Sequence, residues 1–169
     1  MAPRRGAGLV AAALLALAAP ARATMVLRLP LDRVAGDAAR IVHATVVDVR
    51  SGRDDQGLPA TWITLDVART VKGAAAGQVV FKQFGVSRPL ADGTVARVSG
   101  LPRYVVGEEV VLFLRGDSGR GFTSPVGFGQ GVYRVDRRGG HASVRDDARG
   151  HARQDLDAFL DDVGRLVRP

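Results

Sequence analysis

The stretch Arg40-Ile41-Val42-His43-Ala44-Thr45-Val46-Val47-Asp48-Val49 decides the fold. Val42, Ala44 and Val46 recur at a period of two, which sends their side chains to one face of a β-strand. Val47 and Val49 then carry the apolar residues on the opposite face. A switch of face within one strand needs an extra residue in its ladder. The sequence therefore predicts a β-bulge near Val46-Val47, the device that bends a strand into a barrel.

Downstream, residues 51–59 form a polar turn with Asp54, Asp55 and Gly57. Beyond it Thr61, Ile63, Leu65 and Val67 alternate with Trp62, Thr64 and Asp66, so the two runs read as a long hairpin. Lys72-Gly73 closes it, and Gly77 opens a third strand through Val79, Phe81 and Phe84 that Gly85 ends. Residues 86–107 have no clear period; a stretch that long inside one domain is functional or hides a short strand, here placed at 94–98. Val110-Val111-Leu112-Phe113-Leu114 is apolar on both faces and reads as the most buried strand. Residues 122–136 read as two strands interrupted by Gly127, Gly129 and Gly131, glycines that let something approach the backbone closely. Arg137-Arg138-Gly139-Gly140 turns into a last strand at 141–145.

Residues 152–168 predict a helix with Leu156, Phe159, Leu160, Val163, Leu166 and Val167 on one face. Asp155 and Asp157 near its start and Arg165 and Arg168 near its end suit the helix dipole. Upstream, Leu31, Val34, Ala35 and Ala38 have helical spacing over two turns. At the start of the chain, Arg4 and Arg5 precede an apolar run over residues 7–19, too short to span a bilayer at about 20 residues. Ala21-Arg22-Ala23 then supplies the small residues a signal peptidase needs. Residues 1–23 thus read as a cleaved export signal, and residues 24–169 as one mature domain beginning at Thr24, periplasmic or extracellular.

Composition narrows the function. Removing residues 1–23 takes away Arg4, Arg5 and Arg22 and lowers the formal net charge from +7 to +4, with charges of both signs interspersed. No basic stripe with interleaved aromatics appears, so nucleic acid is not an expected partner. The mature chain contains no second apolar span. The absence of cysteine excludes disulfides, a thiolate metal site, a cysteine nucleophile and a lipoprotein anchor.

The order of a short helix, the strand at 40–49, the strand at 61–67, Val71-Lys72-Gly73 and then Gly107-Glu108-Glu109-Val110-Val111-Leu112-Phe113-Leu114 resembles a widespread group of uncharacterised exported bacterial proteins. More distantly it is similar to the netrin-like domain of tissue inhibitors of metalloproteinases, an OB-type five-stranded barrel. The resemblance covers roughly residues 32–115 and lacks that family's cysteines. It implies an OB-like barrel. It also implies an inhibitor-like alternative in which the free amine and first carbonyl of Thr24 would meet a catalytic zinc.

The candidate sites are few. Glu108-Glu109 is the tightest acidic pair, but adjacent strand residues point to opposite faces, so the pair reads as a solvated strand entry. His141, Asp146, Asp147 and His151 are the one cluster of metal-ligand types, at a spacing that matches no zinc motif; neither a metal nor a cofactor is assigned. His43 reads as a partly exposed strand position. Gly127-Phe128-Gly129-Gln130-Gly131 fails the dinucleotide pattern, and there is no Gly-x-Ser-x-Gly elbow. Trp62 lies on the face opposite Ile63 and Leu65, where it either anchors a partner or, the simpler explanation, is shielded by a docked helix. Arg103 and Tyr104, at the end of the long loop, are a second binding candidate.

The expectation is a mainly β domain, a small OB-like antiparallel barrel with a short N-terminal and a C-terminal amphipathic helix. Its expected function is non-enzymatic binding of a protein or another envelope component. The alternative is a hydrolase-type enzyme whose carboxylates and histidines come from distant strands.

Overall fold

The computed structural model describes residues 27–146 and 153–168. The sequence-predicted export signal, its cleavage site and Thr24 lie outside them. Among the described residues, seven strands form one antiparallel sheet with two helices: α1 (Leu31–Asp37), β1 (Arg40–Arg53), β2 (Pro59–Lys72), β3 (Gln78–Phe84), β4 (Glu109–Leu114), β5 (Val132–Arg138), β6 (His141–Asp146), β7 (Arg153–Asp155) and α2 (Leu156–Val167). The strand order is β3-β2-β1-β4-β5-β6-β7. The long hairpin of β1 and β2 carries the expected irregularity: its register shifts between Val46 and Asp48, leaving Val47 without a partner in the ladder. Two further shifts, after Ile41 and after His43, add to the bend.

Alternation along β1 and β4 divides the core in two. Val42, Ala44 and Val46 of β1, Ile63 and Leu65 of β2, Val79 and Phe81 of β3 and Val110 and Leu112 of β4 pack together on the inner face. Ile41, Val111 and Phe113 face the other way, against Val34, Ala35 and Ala38 from α1 and its flank and Leu156, Phe159, Leu160 and Val163 of α2. The ring of Tyr133 in β5 lies between Phe113 and Phe159, with centroids 5.4 and 4.6 Å away. Strand β4 is thus buried on both faces, as its uninterrupted apolar run requires.

The ladder is not closed, since β3 and β7 are edge strands. Residues 122–126 nevertheless lie between the ends of β3 and β4. A parallel bridge joins Lys82 to Phe122 and an antiparallel one joins Leu114 to Pro125, with the Thr123 N–H donating to the Lys82 carbonyl at 2.8 Å. Ahead of these bridges, a cleft of about 300 Å³ opens between the first half of β3 and residues 114–117.

Several sequence expectations need correction. The C-terminal helix starts at Leu156, not at 152, because residues 153–155 pair with β6 and the Asp155 carboxylate caps the helix by accepting the Ala158 N–H at 3.0 Å. Leu166, assigned to its apolar face, is 46% exposed. Residues 122–131 are not a strand but two isolated bridges and a 3₁₀ turn (Phe128–Gly131). Here Gly131 is indispensable: a Cβ would lie 2.8 Å from the Val126 backbone and 3.0 Å from the Phe113 carbonyl. No strand forms at 94–98.

Candidate functional site

On the inner face, the register that buries Ile63 and Phe81 also turns Thr61 and Gln83 inward, since Thr61 lies two residues before Ile63 and Gln83 two residues after Phe81. Apolar packing gives way to polar side chains at this end. Residues 85–104 close over it and enclose a cleft of about 410 Å³, lined by Thr61, residues 83–87 and residues 96–104.

The loop is held by specific contacts. Ser51 Oγ lies 2.7 Å from Ser87 Oγ and accepts the Ser87 N–H at 3.0 Å, while the Thr61 hydroxyl donates to the Gly85 carbonyl at 2.9 Å. Gly85 adopts φ +96°, and a Cβ there would lie 2.7 Å from the Ala96 carbonyl, so the loop can fold back only over glycine. Further out, Arg53 bonds Asp92 at 2.7 Å and Thr94 at 2.7 Å, tying the β1–β2 hairpin to the loop tip. The Thr94 hydroxyl, with Arg53, holds the Asp92 carboxyl well below the usual carboxylate range. Lys82 bonds the buried Asp54 carboxylate at 2.9 Å and stacks over the Phe122 ring at 4.3 Å.

Two polar atoms in the lining make no hydrogen bond among the described residues: Gln83 Oε1 and the Tyr104 hydroxyl. The Gln83 amide is oriented by its Nε2, which donates to the Pro102 carbonyl at 3.1 Å, leaving Oε1 as a lone acceptor. The Tyr104 ring meets Phe81 edge-on at 5.6 Å, and burial pushes its hydroxyl pKa far up, so it stays protonated. A buried polar atom without a partner is costly, and both of these atoms are shielded from solvent by the surrounding side chains.

The sequence candidates fall in different places. Tyr104, a binding candidate of the long loop, is 7% exposed, with its ring in the inner core, where the apolar Phe81 beneath it draws the ring in. Arg103 beside it is exposed at the mouth of the cleft. Trp62 is half-buried on the outer face, flanked in the ladder by Arg50 and Lys82, with its ring over Gly52. It does not belong to the cluster beneath the helices, so the helix-shielding explanation is corrected too. Thr24, Asp147 and His151 lie outside the described residues, while His141 is exposed and Asp146 buried.

Sequence reasoning missed Gln83 and Thr61. Their signal was present: a polar residue at an inward position of an otherwise apolar strand. It also misread Glu108-Glu109. The two do point to opposite faces, but neither is merely solvated. Glu108 pairs with Arg134 and accepts the Val105 N–H at 3.1 Å. Glu109 accepts from Arg137 Nε and Nη2, each at 2.7 Å, and lies 2.6 Å from His43 Nε2, and His43 is itself buried. Arg137 first, and His43 after it, hold the Glu109 carboxyl below its ordinary range. This network is on the face opposite the cleft.

No protein-family model matches the chain, and no curated protein matches it.

Proposed function

We propose that the chain is an exported, non-enzymatic binding module built as a small OB-like barrel, and that the cleft beneath residues 85–104 receives its partner, a protein or another envelope component. The observation that carries this reading is the cleft's chemistry. Its lining offers hydroxyl, amide and guanidinium groups but no carboxylate and no imidazole, and its tyrosine is held protonated by burial. Such a set binds by hydrogen bonds and charge; it has no group poised to shuttle a proton near neutral pH. The barrel reading draws on the pairing of β1 with both β2 and β4, of β2 with β3, and on the bridges from residues 122–126 to β3 and β4. Export draws on residues 1–23, and among the described residues no helix is long and apolar enough to cross a membrane.

The hydrolase-type alternative has one specific observation in its favour, the 2.6 Å contact of His43 with Glu109. A carboxylate that orients a histidine is half of a nucleophile-activating set. Among the described residues, however, no Ser or Thr hydroxyl bonds His43.

The test is to incubate protein beginning at Thr24 with envelope extract of the producing organism and analyse the retained molecules by mass spectrometry. Binding predicts a stoichiometric ligand recovered unchanged after unfolding. Appearance of a chemically altered product would establish the enzyme instead.

A further inference from the structure

The two edges of the sheet are finished differently. Strand β7 has only three residues, Arg153, Gln154 and Asp155, and two of them are charged, which discourages pairing with another chain. Strand β3 has seven, with no proline and no charge before Lys82. Its neighbours fix which backbone groups are free. The Gly77 carbonyl accepts the Val67 N–H, and the Gly85 N–H donates to the Pro59 carbonyl, so odd-numbered residues direct their backbone groups to β2. Even-numbered residues direct theirs to the other side, where the Lys82 carbonyl accepts the Thr123 N–H at 2.8 Å. Gln78 and Val80 therefore aim their N–H and C=O groups past the edge, where no hydrogen-bond partner meets them among the described residues. Both residues are exposed, Val80 by 54%, so these groups are open to another chain.

The cleft of about 300 Å³ beside this half of β3 makes the edge a slot, with residues 114–117 as its far wall. A strand laid in it continues, toward the start of β3, the cover that residues 122 and 123 supply at Lys82. The lining also carries charge. Arg40 forms no ion pair among the described residues, and Arg115 has a single 3.8 Å contact with Asp37. The carboxylate in the lining, Asp117, already accepts the Thr123 hydroxyl at 2.5 Å.

We propose that the slot along Gln78 and Val80 is a strand-addition site for an extended, acidic segment of a partner protein. The backbone of that segment pairs with Gln78 and Val80, and its carboxylate meets Arg40 and Arg115. Charge decides the occupant. The edge of a second copy carries Gln78, Val80 and Lys82 and no carboxylate, and edge-to-edge pairing would add its arginines to those already in the slot. The slot flanks the start of β3 and the cleft beneath residues 85–104 its end, so the two sites stand or fall separately.

The experiment is residue-resolved amide hydrogen exchange by NMR on protein beginning at Thr24, alone and with a pool of acetylated, amidated octapeptides. The pool fixes Glu at the fourth position and draws the others from Ala, Ser, Thr and Val. Matched pools carry Lys at that position, or Pro at alternate positions to remove backbone donors. In the protein alone, Val79 and Phe81 are expected to exchange slowly and Gln78 and Val80 rapidly. The Glu pool is expected to slow Gln78 and Val80 by about tenfold or more, and the Lys pool to bind about fivefold more weakly, the scale of an exposed ion pair. The Pro pool is expected to have no effect. Val80→Pro removes an outward N–H without touching the ladder to β2 and is expected to abolish the protection, with thermal unfolding recorded to establish that it folds. Arg40→Gln combined with Arg115→Gln is expected to equalise the Glu and Lys pools while backbone pairing persists. Slow exchange of Gln78 and Val80 in the protein alone, no slowing with any pool, or equal effects of the Glu and Lys pools on the unaltered protein would overturn the proposal. So would a dimer, seen by sedimentation, whose formation protects Gln78 and Val80, because a second copy would then be the occupant.

Discussion

The two ends of the inner face are built by the same alternation and finished in opposite ways. At one end Val42, Ala44, Val110 and Leu112 are fully buried and apolar. At the other, one inward step beyond the Ile63–Phe81 pair of β2 and β3, the inward positions are Thr61 and Gln83, and the cover is a loop. Close packing at the first end removes apolar surface from water and supplies stability. At the second end the same inward geometry buries polar atoms without completing their hydrogen bonds. The difference teaches where to look for binding in a domain with no obvious motif: at the positions where the strand pattern continues but the chemistry changes.

Mutations can break or sharpen this contrast. The largest effect belongs to the packed end, where Leu112→Ala should destabilise by about 2 to 5 kcal/mol, the usual cost of emptying a buried leucine site; chemical denaturation measures it. A loss well below that range would mean the inner face is loosely packed throughout. Trp62→Ala, on the outer face, should cost less, about 1 to 2 kcal/mol, because half-burial leaves less apolar surface to re-expose. Equal losses at Trp62 and Leu112 would place the indole inside.

The Glu109 network should be felt through pH. Its carboxyl is held low by Arg137 and His43, so the stabilisation is complete above the unfolded value of about 4.3 and is lost as pH falls through the lower folded value. Glu109→Gln should therefore lower the unfolding free energy near neutral pH by about 1 kcal/mol, given its partly exposed partners, and flatten the acid limb. It should leave ligand binding in the cleft untouched. The smallest effect is expected at the polar end. Tyr104→Phe removes a hydroxyl that has no partner among the described residues and should change stability by no more than about 0.5 kcal/mol in either direction. A large loss would reveal a structural hydrogen bond and return Tyr104 to the core as an ordinary residue.

How far the molecule was legible can be traced in single residues. The face switch at Val46-Val47 announced the register shift that the ladder contains, and the two-faced run at 110–114 announced the strand buried on both sides. The helix face at Leu156, Phe159, Leu160 and Val163 was read correctly, while its start was not, since a strand of three residues has no periodicity to detect. The burial of Tyr104 was illegible for a related reason: nothing local says that an irregular loop will dip one side chain onto Phe81. His43 and Glu109 are 66 residues apart, and only the pairing of β1 with β4 joins them.

By itself, then, the amino-acid order determined the long strands, both helices and which of their faces are apolar, because periodicity is a property of neighbours in the chain. Tertiary structure alone decided what those faces meet. The fold of residues 85–104 over Thr61 and Gln83, the gathering of Arg97, Arg103 and Tyr104 around one cleft, and the placing of Trp62 outside it all depend on contacts between residues distant in sequence. Such contacts are selected by burial and hydrogen-bond completion over the whole molecule, and no local pattern encodes them.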